Sequence, residues 1–266
     1  MTLSVAIITH NEEANLARTL ASVHGADEIV VVDSGSTDAT VEIARSHGAN
    51  VFVEEWKGFA AQKNSALSKC TSDWILCLDA DEEVSPGLRL LILRLLAGTP
   101  EHTAYLLPRR NLFLGRWIRH GGYYPDAKLR LFKRGSALFE ERPVHETLKC
   151  SVPVGSVPSG SVIGPLWATG DDLIHHAYPT LENYIEHMNR YSTLGAQLAL
   201  EQGKHSGSIF AFAWNVLLNP LATFVYNYVL RLGFLDGREG LLLHLYHSVY
   251  ISWKYAKAWL ASNAGR

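Results

Sequence analysis

A chain of 266 residues, 47% of them hydrophobic and 19% charged, can bury a full core and holds either one large domain or a domain with a substantial appendage. Its 24 basic and 26 acidic side chains leave a formal net charge of −2, so no global field gathers a polyanion and a nucleic-acid partner is not expected. Cys70, Cys77 and Cys150 form no CxxC pair, and their odd number argues against a disulfide framework, which makes a reducing cytosol the expected compartment. Met1 to Ile8 lacks a cationic leader and a cleavage site and reads as a first strand, not as a signal peptide.

Short apolar or β-branched runs alternate with helix-like segments through the first half, the pattern of an α/β fold with a mostly parallel sheet and flanking helices. Strands are expected at Ser4 to Thr9, Glu28 to Asp33, Asn50 to Glu54 and Trp74 to Asp79. Leu16, Leu20 and Val23 recur at helical spacing between the first two. Between the next two, Thr37-Asp38 starts a helix through Val41, Ala44 and Arg45, and Gly48 stops it. A third helix is expected over Phe59 to Lys69 and a fourth over Gly87 to Ala97, begun by Ser85-Pro86. Beyond Ala104, short strands around Tyr105-Leu106-Leu107 and Leu129-Arg130-Leu131-Phe132 flank a loop, Gly121-Gly122-Tyr123-Tyr124-Pro125.

Residues 151 to 170 are dense in Ser, Pro and Gly and read as a connecting loop, followed by a helix over Leu181 to Glu201 that Gly203 would end. The most apolar stretch runs from Ile209 to Leu235. In it Asn215, Asn219, Thr223, Asn227 and Arg231 recur at every fourth position, a narrow polar seam that drifts slowly around a helix. Length admits a transmembrane span, but Pro220 and the seam are hard to place against lipid. A last helix, Leu241 to Leu260, sets His244, His247, Lys254 and Lys257 on one arc and Tyr246, Tyr250 and Trp253 on another. That pattern suits a membrane interface and, equally, packing on a neighbouring helix or a second subunit of a homodimer.

Trp74-Ile75-Leu76-Cys77-Leu78-Asp79-Ala80-Asp81 delivers two carboxylates from the end of an apolar strand, and strand alternation puts Asp79 and Asp81 on the same side. A hard divalent cation with open positions for diphosphate oxygens suits that pair, although a lone Asp-x-Asp is also an ordinary turn. The first strand ends in Thr9-His10-Asn11-Glu12 and the second in Asp33-Ser34-Gly35-Ser36-Thr37-Asp38, polar groups at the carboxyl edge where open α/β sheets bind ligands. Asp33 can accept from a base imide or a ribose hydroxyl. No GxGxxG follows the first strand and no GxxxxGK[ST] occurs, which disfavours a dinucleotide fold and a P-loop and leaves a mononucleotide pocket.

Together with Gln62-Lys63-Asn64, these motifs resemble the family 2 glycosyltransferases of the GT-A fold. Trp56-Lys57-Gly58-Phe59, Pro125 to Phe132, Pro143-Val144-His145-Glu146 and Gly233-Phe234-Leu235-Asp236-Gly237 resemble the bacterial lipopolysaccharide-core β-1,4-glucosyltransferase branch. The resemblance implies a GT-A nucleotide-sugar-binding and catalytic domain over residues 1–150, a linker and acceptor-side helix over 151–205, and an apolar, membrane-peripheral or oligomerising helical region over 206–266. By the same resemblance Asp33, with Thr9, Asn11 and Glu12, holds the uracil and ribose of a UDP-sugar. Asp79 touches the ribose or the metal site, and Asp81 is the direct ligand of Mg or Mn, with His145 or His175 completing the shell. Lys63 adds positive charge at the diphosphate or pairs with Asp33. Inversion at the anomeric carbon asks for one general base; Glu146 is the first candidate and Asp126 the second.

Arg109, Arg110, Arg116, Arg119, Lys128, Arg130, Lys133 and Arg134 make the following segment locally basic, with Trp117, Tyr123 and Tyr124 interleaved. Arg130, Lys128 and Tyr124 are the candidate acceptor and phosphate contacts for a lipid-linked or lipopolysaccharide-type saccharide. The expected function is transfer of a hexose, glucose from UDP-glucose, to such an acceptor at the inner face of the cytoplasmic membrane. A polyprenyl-phosphate sugar transferase and a non-catalytic sugar-nucleotide-binding membrane adaptor are the alternatives.

Overall fold

The computed structural model describes residues 1–140, 147–150, 163–166, 170–204 and 206–263. In chain order the strands are β1 (Leu3–Thr9), β2 (Glu28–Asp33), β3 (Asn50–Val53), β4 (Trp74–Asp79), β5 (Glu82–Val84), β6 (Ala104–Leu107), β7 (Arg109–Phe113), β8 (Arg116–Trp117), β9 (Lys128–Lys133), β10 (Ala137–Glu140), β11 (Thr147–Cys150), β12 (Ile163–Pro165) and β13 (Leu173–Tyr178). The helices are α1 (Leu16–Ser22), α2 (Thr40–Ser46), α3 (Phe59–Lys69), α4 (Pro86–Ala97), α5 (Leu181–Glu201), α6 (Ile209–Leu230) and α7 (Gly237–Asn263). By their contacts the residues fall into two units, Met1–Arg109 with Asp126–His176, and Arg110–Pro125 with Ala177–Arg266. This division follows a different line from the segments 1–150, 151–205 and 206–266, because residues 110–125 group with the C-terminal helices, β12 pairs with β6, and Leu173, Ile174 and His175 of β13 pair with β5.

The first unit is built on a seven-stranded sheet in the order β12-β6-β9-β4-β1-β2-β3. β1 to β4 run parallel, β12 runs parallel to β6, and β9 alone is antiparallel to its neighbours β4 and β6. The central strands are apolar on both faces because helices cover both: Val30, Val31 and Val32 are each 0% exposed. Ser85 caps α4 by accepting from the Leu88 N–H, with Pro86 at the first helical position. Cys70 and Cys77 are buried and free, and burial pushes their thiols up to about 12 and about 11.

The strands and helices expected up to Ala97 are present within a residue or two, and α5 spans Leu181–Glu201 as read. The segment expected as a plain loop contributes β12, whose Ile163, Gly164 and Pro165 pair with Ala104, Tyr105 and Leu106. Periodicity also gives no sign of β7, whose Arg-Arg-Asn opening is polar, of β5, which has three residues, or of β13, whose centre is His175-His176.

The core of the second unit gathers Phe113, Ile118, Tyr184 and Leu243. Lys257 of α7 fastens α5 by donating to the Asn189 carbonyl at 2.8 Å and to Ser192 Oγ at 2.7 Å. Helix α6 is long and apolar enough to cross a membrane by length and composition, and it alternates α-helical turns with π-helical segments at Trp214–Leu218 and Val225–Leu230. After it, a 3₁₀ turn over Gly233–Asp236 aims a carboxylate back into the unit. Asp236, 2% exposed, accepts from the backbone N–H of Arg119 at 3.1 Å, the N–H of His120 at 2.8 Å and the His120 ring at 2.9 Å. The Gly121 N–H donates to the Arg231 carbonyl at 2.9 Å. A Cβ on Gly233 would lie 2.3 Å from His244 Nε2, which explains the glycine in Gly-Phe-Leu-Asp-Gly.

Asp236→Ala strips the acceptor from two part-buried N–H groups and a ring. It should destabilise the second unit by about 3 kcal/mol, read as a lowered urea midpoint, whereas Asp236→Asn should retain part of the loss.

Candidate active site

Three parallel strands end side by side in the first unit. Thr9 stands in register with Asp33, and Ile8 with Asp79, so the ends of β1, β2 and β4 meet at the carboxyl edge of the sheet. The turns after β1 and β2 clasp each other. The Asn11 N–H donates to Ser36 Oγ at 2.8 Å, Thr37 N–H to Asn11 Oδ1 at 2.9 Å, and Glu12 N–H to Thr40 Oγ1 at 2.8 Å. Asn11 adopts φ 54°, a left-handed conformation that Asn tolerates better than most residues. Burial, and then the negative charges of Asp81, Asp38 and Asp79, raise the Glu12 carboxyl against the lowering effect of its hydrogen bond from Asn15.

Asp33 is wholly buried and accepts from Thr9 Oγ1 at 3.0 Å, Gly35 N–H at 3.0 Å, Ser36 N–H at 2.8 Å and the Ser36 hydroxyl. These contacts occupy about four acceptor positions of the carboxylate and pin the β2 turn. Ser34 Oγ, passed over in the sequence, is buried at the same edge with no partner among the described residues.

Beside Asp33 runs a chain of charges of alternating sign. Lys63 Nζ lies 2.7 Å from Asp79 Oδ1, and the other oxygen of Asp79 bonds Arg130. Arg130 also holds Glu82 at 2.7 Å, and Arg109 reaches the same Glu82 oxygen at 2.9 Å. Arg109 continues to Asp126 Oδ2 at 2.6 Å, and Lys128 closes the row at 2.9 Å from Asp126 Oδ1. Glu82 is 0% exposed and its second oxygen accepts from the Asp79 N–H at 3.1 Å. Burial alone raises the Asp79 carboxyl, but the Arg130 guanidinium and the Lys63 ammonium outweigh it and hold it well below the usual carboxylate range. For Asp126, burial is likewise outweighed by Arg109 and Lys128, leaving the carboxyl at about 2.

Several of the expected residues take partners in this row. Lys63, 5% exposed, pairs with Asp79. Arg130 pairs with Asp79 and Glu82, and Lys128 with Asp126. At about 2, Asp126 is a weak proton acceptor at neutral pH. Glu82 went unread because a carboxylate following Asp-Ala-Asp looks like part of a solvated acidic turn.

Asp79 and Asp81 do not share one strand face, because β4 ends at Asp79 and residues 80 and 81 form a turn. The two acids therefore have separate partners. Asp81 Oδ2 lies 3.3 Å from His175 Nε2, which β13 carries opposite Glu82 of β5, and His176 pairs with Glu83 at 3.1 Å. Burial raises the Asp81 carboxyl, while the His175 hydrogen bond and charge bring it below its ordinary value.

Among the described residues no three His, Cys, Asp or Glu side chains form a metal-ligand cluster. Asp81 and His175 supply one hard oxygen and one imidazole, a donor set that fits Mg or Mn when water and diphosphate oxygens fill the remaining positions. Asp79 has a cation on each oxygen. His145 and Glu146 lie outside the described residues. Tyr124 belongs to the second unit, where its ring meets Trp117 edge-on at 5.1 Å and Arg110 and Arg119 cover the Trp117 ring at 4.1 and 4.0 Å.

The sheet and its carboxyl edge define an α/β fold with acids at the ligand-binding edge, and the family is given by comparison with known proteins. Residues 4–149 match the family described as Glycosyl transferase family 2, and the chain belongs to that family. It is 35% identical, over 76% of its length and 73% of the relative's, to the lipopolysaccharide core biosynthesis glycosyltransferase LpsC of Rhizobium meliloti. Among solved structures, Staphylococcus aureus TarS (residues 1–349) aligns at 16% identity over 100% of this chain and 92% of that one, with a TM-score of 0.45. A Mycobacterium tuberculosis glucosyl-3-phosphoglycerate synthase, crystallised with Mn²⁺, UDP and glucosyl-3-phosphoglycerate, aligns at 23% identity over 42% of this chain and 44% of that one, with a TM-score of 0.35.

Glu82→Gln leaves two buried guanidinium groups short of a counter-charge and should cost about 3 kcal/mol, seen as a lowered thermal midpoint. Asp126 is depressed below the ~3.9 of an unfolded Asp, so its stabilisation is present above that pH and is lost as pH falls through about 2. Asp126→Asn should therefore lower the melting midpoint at neutral pH, with the gap to the parent closing in acid when both are followed by circular dichroism.

Proposed function

We propose that this family 2 glycosyltransferase moves a hexose, glucose from UDP-glucose, with inversion onto a lipopolysaccharide inner-core acceptor such as heptose. The observation that carries the reading is the split of the two acids: Asp79 neutralised within the charge row, and Asp81 left beside His175 at the carboxyl edge. The likeness to a lipopolysaccharide-core enzyme supports the acceptor class.

Asp81 and His175 would hold a divalent Mg or Mn ion, which supplies Lewis-acid neutralisation of the departing nucleoside diphosphate when bound. Lys63 and Arg130 fix the Asp79 carboxylate in its ionised form, so that it can accept from a donor hydroxyl without itself taking a proton. Thr9 and Asp33 hold the β2 turn. Asn11, Glu12 and the Ser34 hydroxyl are the groups at this edge for the nucleoside. Glu146 takes the acceptor proton, since Asp126 is too acidic for that work. Lys128, whose side chain is 40% exposed beside Asp126, contacts the acceptor. The enzyme works in the cytoplasm at the inner membrane face, with residues 206–260 on the membrane.

Asp81→Ala should abolish transfer and metal-dependent UDP binding while leaving the circular dichroism spectrum intact; retained turnover would exclude the metal role. Glu146→Gln should lose turnover by at least about a hundredfold and keep donor binding in a thermal-shift assay. Transfer to polyprenyl phosphate, but not to a heptose acceptor, in an acceptor panel would replace the acceptor named here.

A further inference from the structure

Helix α6 turns its polar residues in and its apolar residues out. From 215 to 230 exposure changes in pairs: residues 215–216, 219–220, 223–224 and 227–228 are buried or half-buried, and 217–218, 221–222, 225–226 and 229–230 are exposed. The half-buried pairs include Asn215, Asn219, Thr223 and Asn227, the whole seam before Arg231. Of the exposed eight, Tyr226 alone carries a side-chain polar atom, and Leu217, Leu221 and Leu230 are 64%, 59% and 68% exposed. A surface helix in water shows the opposite arrangement.

The π segments keep this arrangement straight. An α-helix holds 3.6 residues per turn, so a period of four would spiral around it, whereas π turns are wider and bring the mean repeat toward four. The seam stays on one side, where Ser252 of α7 donates to the Val216 carbonyl at 2.9 Å and Phe212 meets Trp259 edge-on at 5.0 Å.

We infer that the outer face of α6 lies in the plane of an anionic bilayer, submerged to the headgroup boundary, and does not span it. To span, α6 would have to carry α7, packed along one side of it, into the bilayer, and α7 bears Arg238, Glu239, Lys254 and Lys257. The charges favour a lipid surface over a second copy of the chain. Exposed Lys204 precedes the apolar run, and exposed Arg231 and Arg238 follow it, while the intervening acid, Asp236, is buried. Glu201 offsets Lys204 at the first end, and at the second Glu239 is paired with Arg116, so the excess cations are Arg231 and Arg238, which two copies stacked in parallel on this face would bring together. Anionic headgroups pair with both. Exposed Trp214 and Tyr226 are the side chains that favour that boundary.

The inference rests on the membrane contact proposed above and is independent of sugar transfer. The full chain is floated with phosphatidylglycerol–phosphatidylethanolamine vesicles and with phosphatidylcholine vesicles, alongside Leu221→Glu/Val225→Glu and Arg231→Gln/Arg238→Gln. The expected result is flotation with the anionic vesicles that falls at least tenfold in the Glu variant. The Gln variant should fall severalfold, and 0.5 M salt should weaken the parent. UDP binding and the circular dichroism spectrum should stay unchanged in both. Failure of the parent to float would overturn the inference, as would a dimer in light scattering that the Glu variant splits into monomers. Turnover on a soluble acceptor, assayed in parallel, reports on the transferase reading separately.

Discussion

Seven charges of alternating sign, from Lys63 through Asp79, Arg130, Glu82, Arg109 and Asp126 to Lys128, set the carboxyl edge of the first unit. An isolated charge in such a place would cost several kcal/mol or change protonation state. Each interior member of the row instead has an opposite charge on both sides, so none can be neutralised alone without stranding its neighbours. The row also joins elements far apart in sequence: α3, the end of β4, β5, the start of β7, and β9. The sheet edge is thereby held by electrostatics where the hydrophobic core stops.

That row explains why two aspartates one residue apart behave differently. Asp79 ends a strand and has a cation on each oxygen, whereas Asp81 sits in the turn that follows and faces an imidazole. A carboxylate already neutralised by lysine and arginine has little left to give a divalent ion. One paired only with a histidine can exchange that hydrogen bond for a shared ligand. The separation comes from partners delivered by β9 and β13, not from the Asp-x-Asp spacing.

The alternation of apolar runs in the first half made β1 to β4 and their helices legible, because buried parallel strands must be greasy and their covering helices amphipathic. The polar or short strands β5, β7 and β13 were illegible for the converse reason: each is fixed by pairing and by charges such as Glu82, Arg109 and His175, which carry no periodic signal. Asp33 was legible as a special residue, but its hold on its own turn was not. The four donors around it are visible only once the turn is folded.

The second unit meets the same physical demand, that every buried polar group find a partner, by other means. Asp236 is satisfied by hydrogen bonds with two backbone N–H groups and a histidine ring, where Asp79 uses side-chain cations. Along α6 the answer is a change of helix. A seam of asparagines and a threonine spaced by four would walk off a regular α-helix and expose half its members, and π turns at Trp214–Leu218 and Val225–Leu230 remove the drift. Keeping the polar seam against α7 leaves the leucines and valines between its members on the outer side. The apolar outer face of α6 is thus a direct consequence of where its asparagines must go.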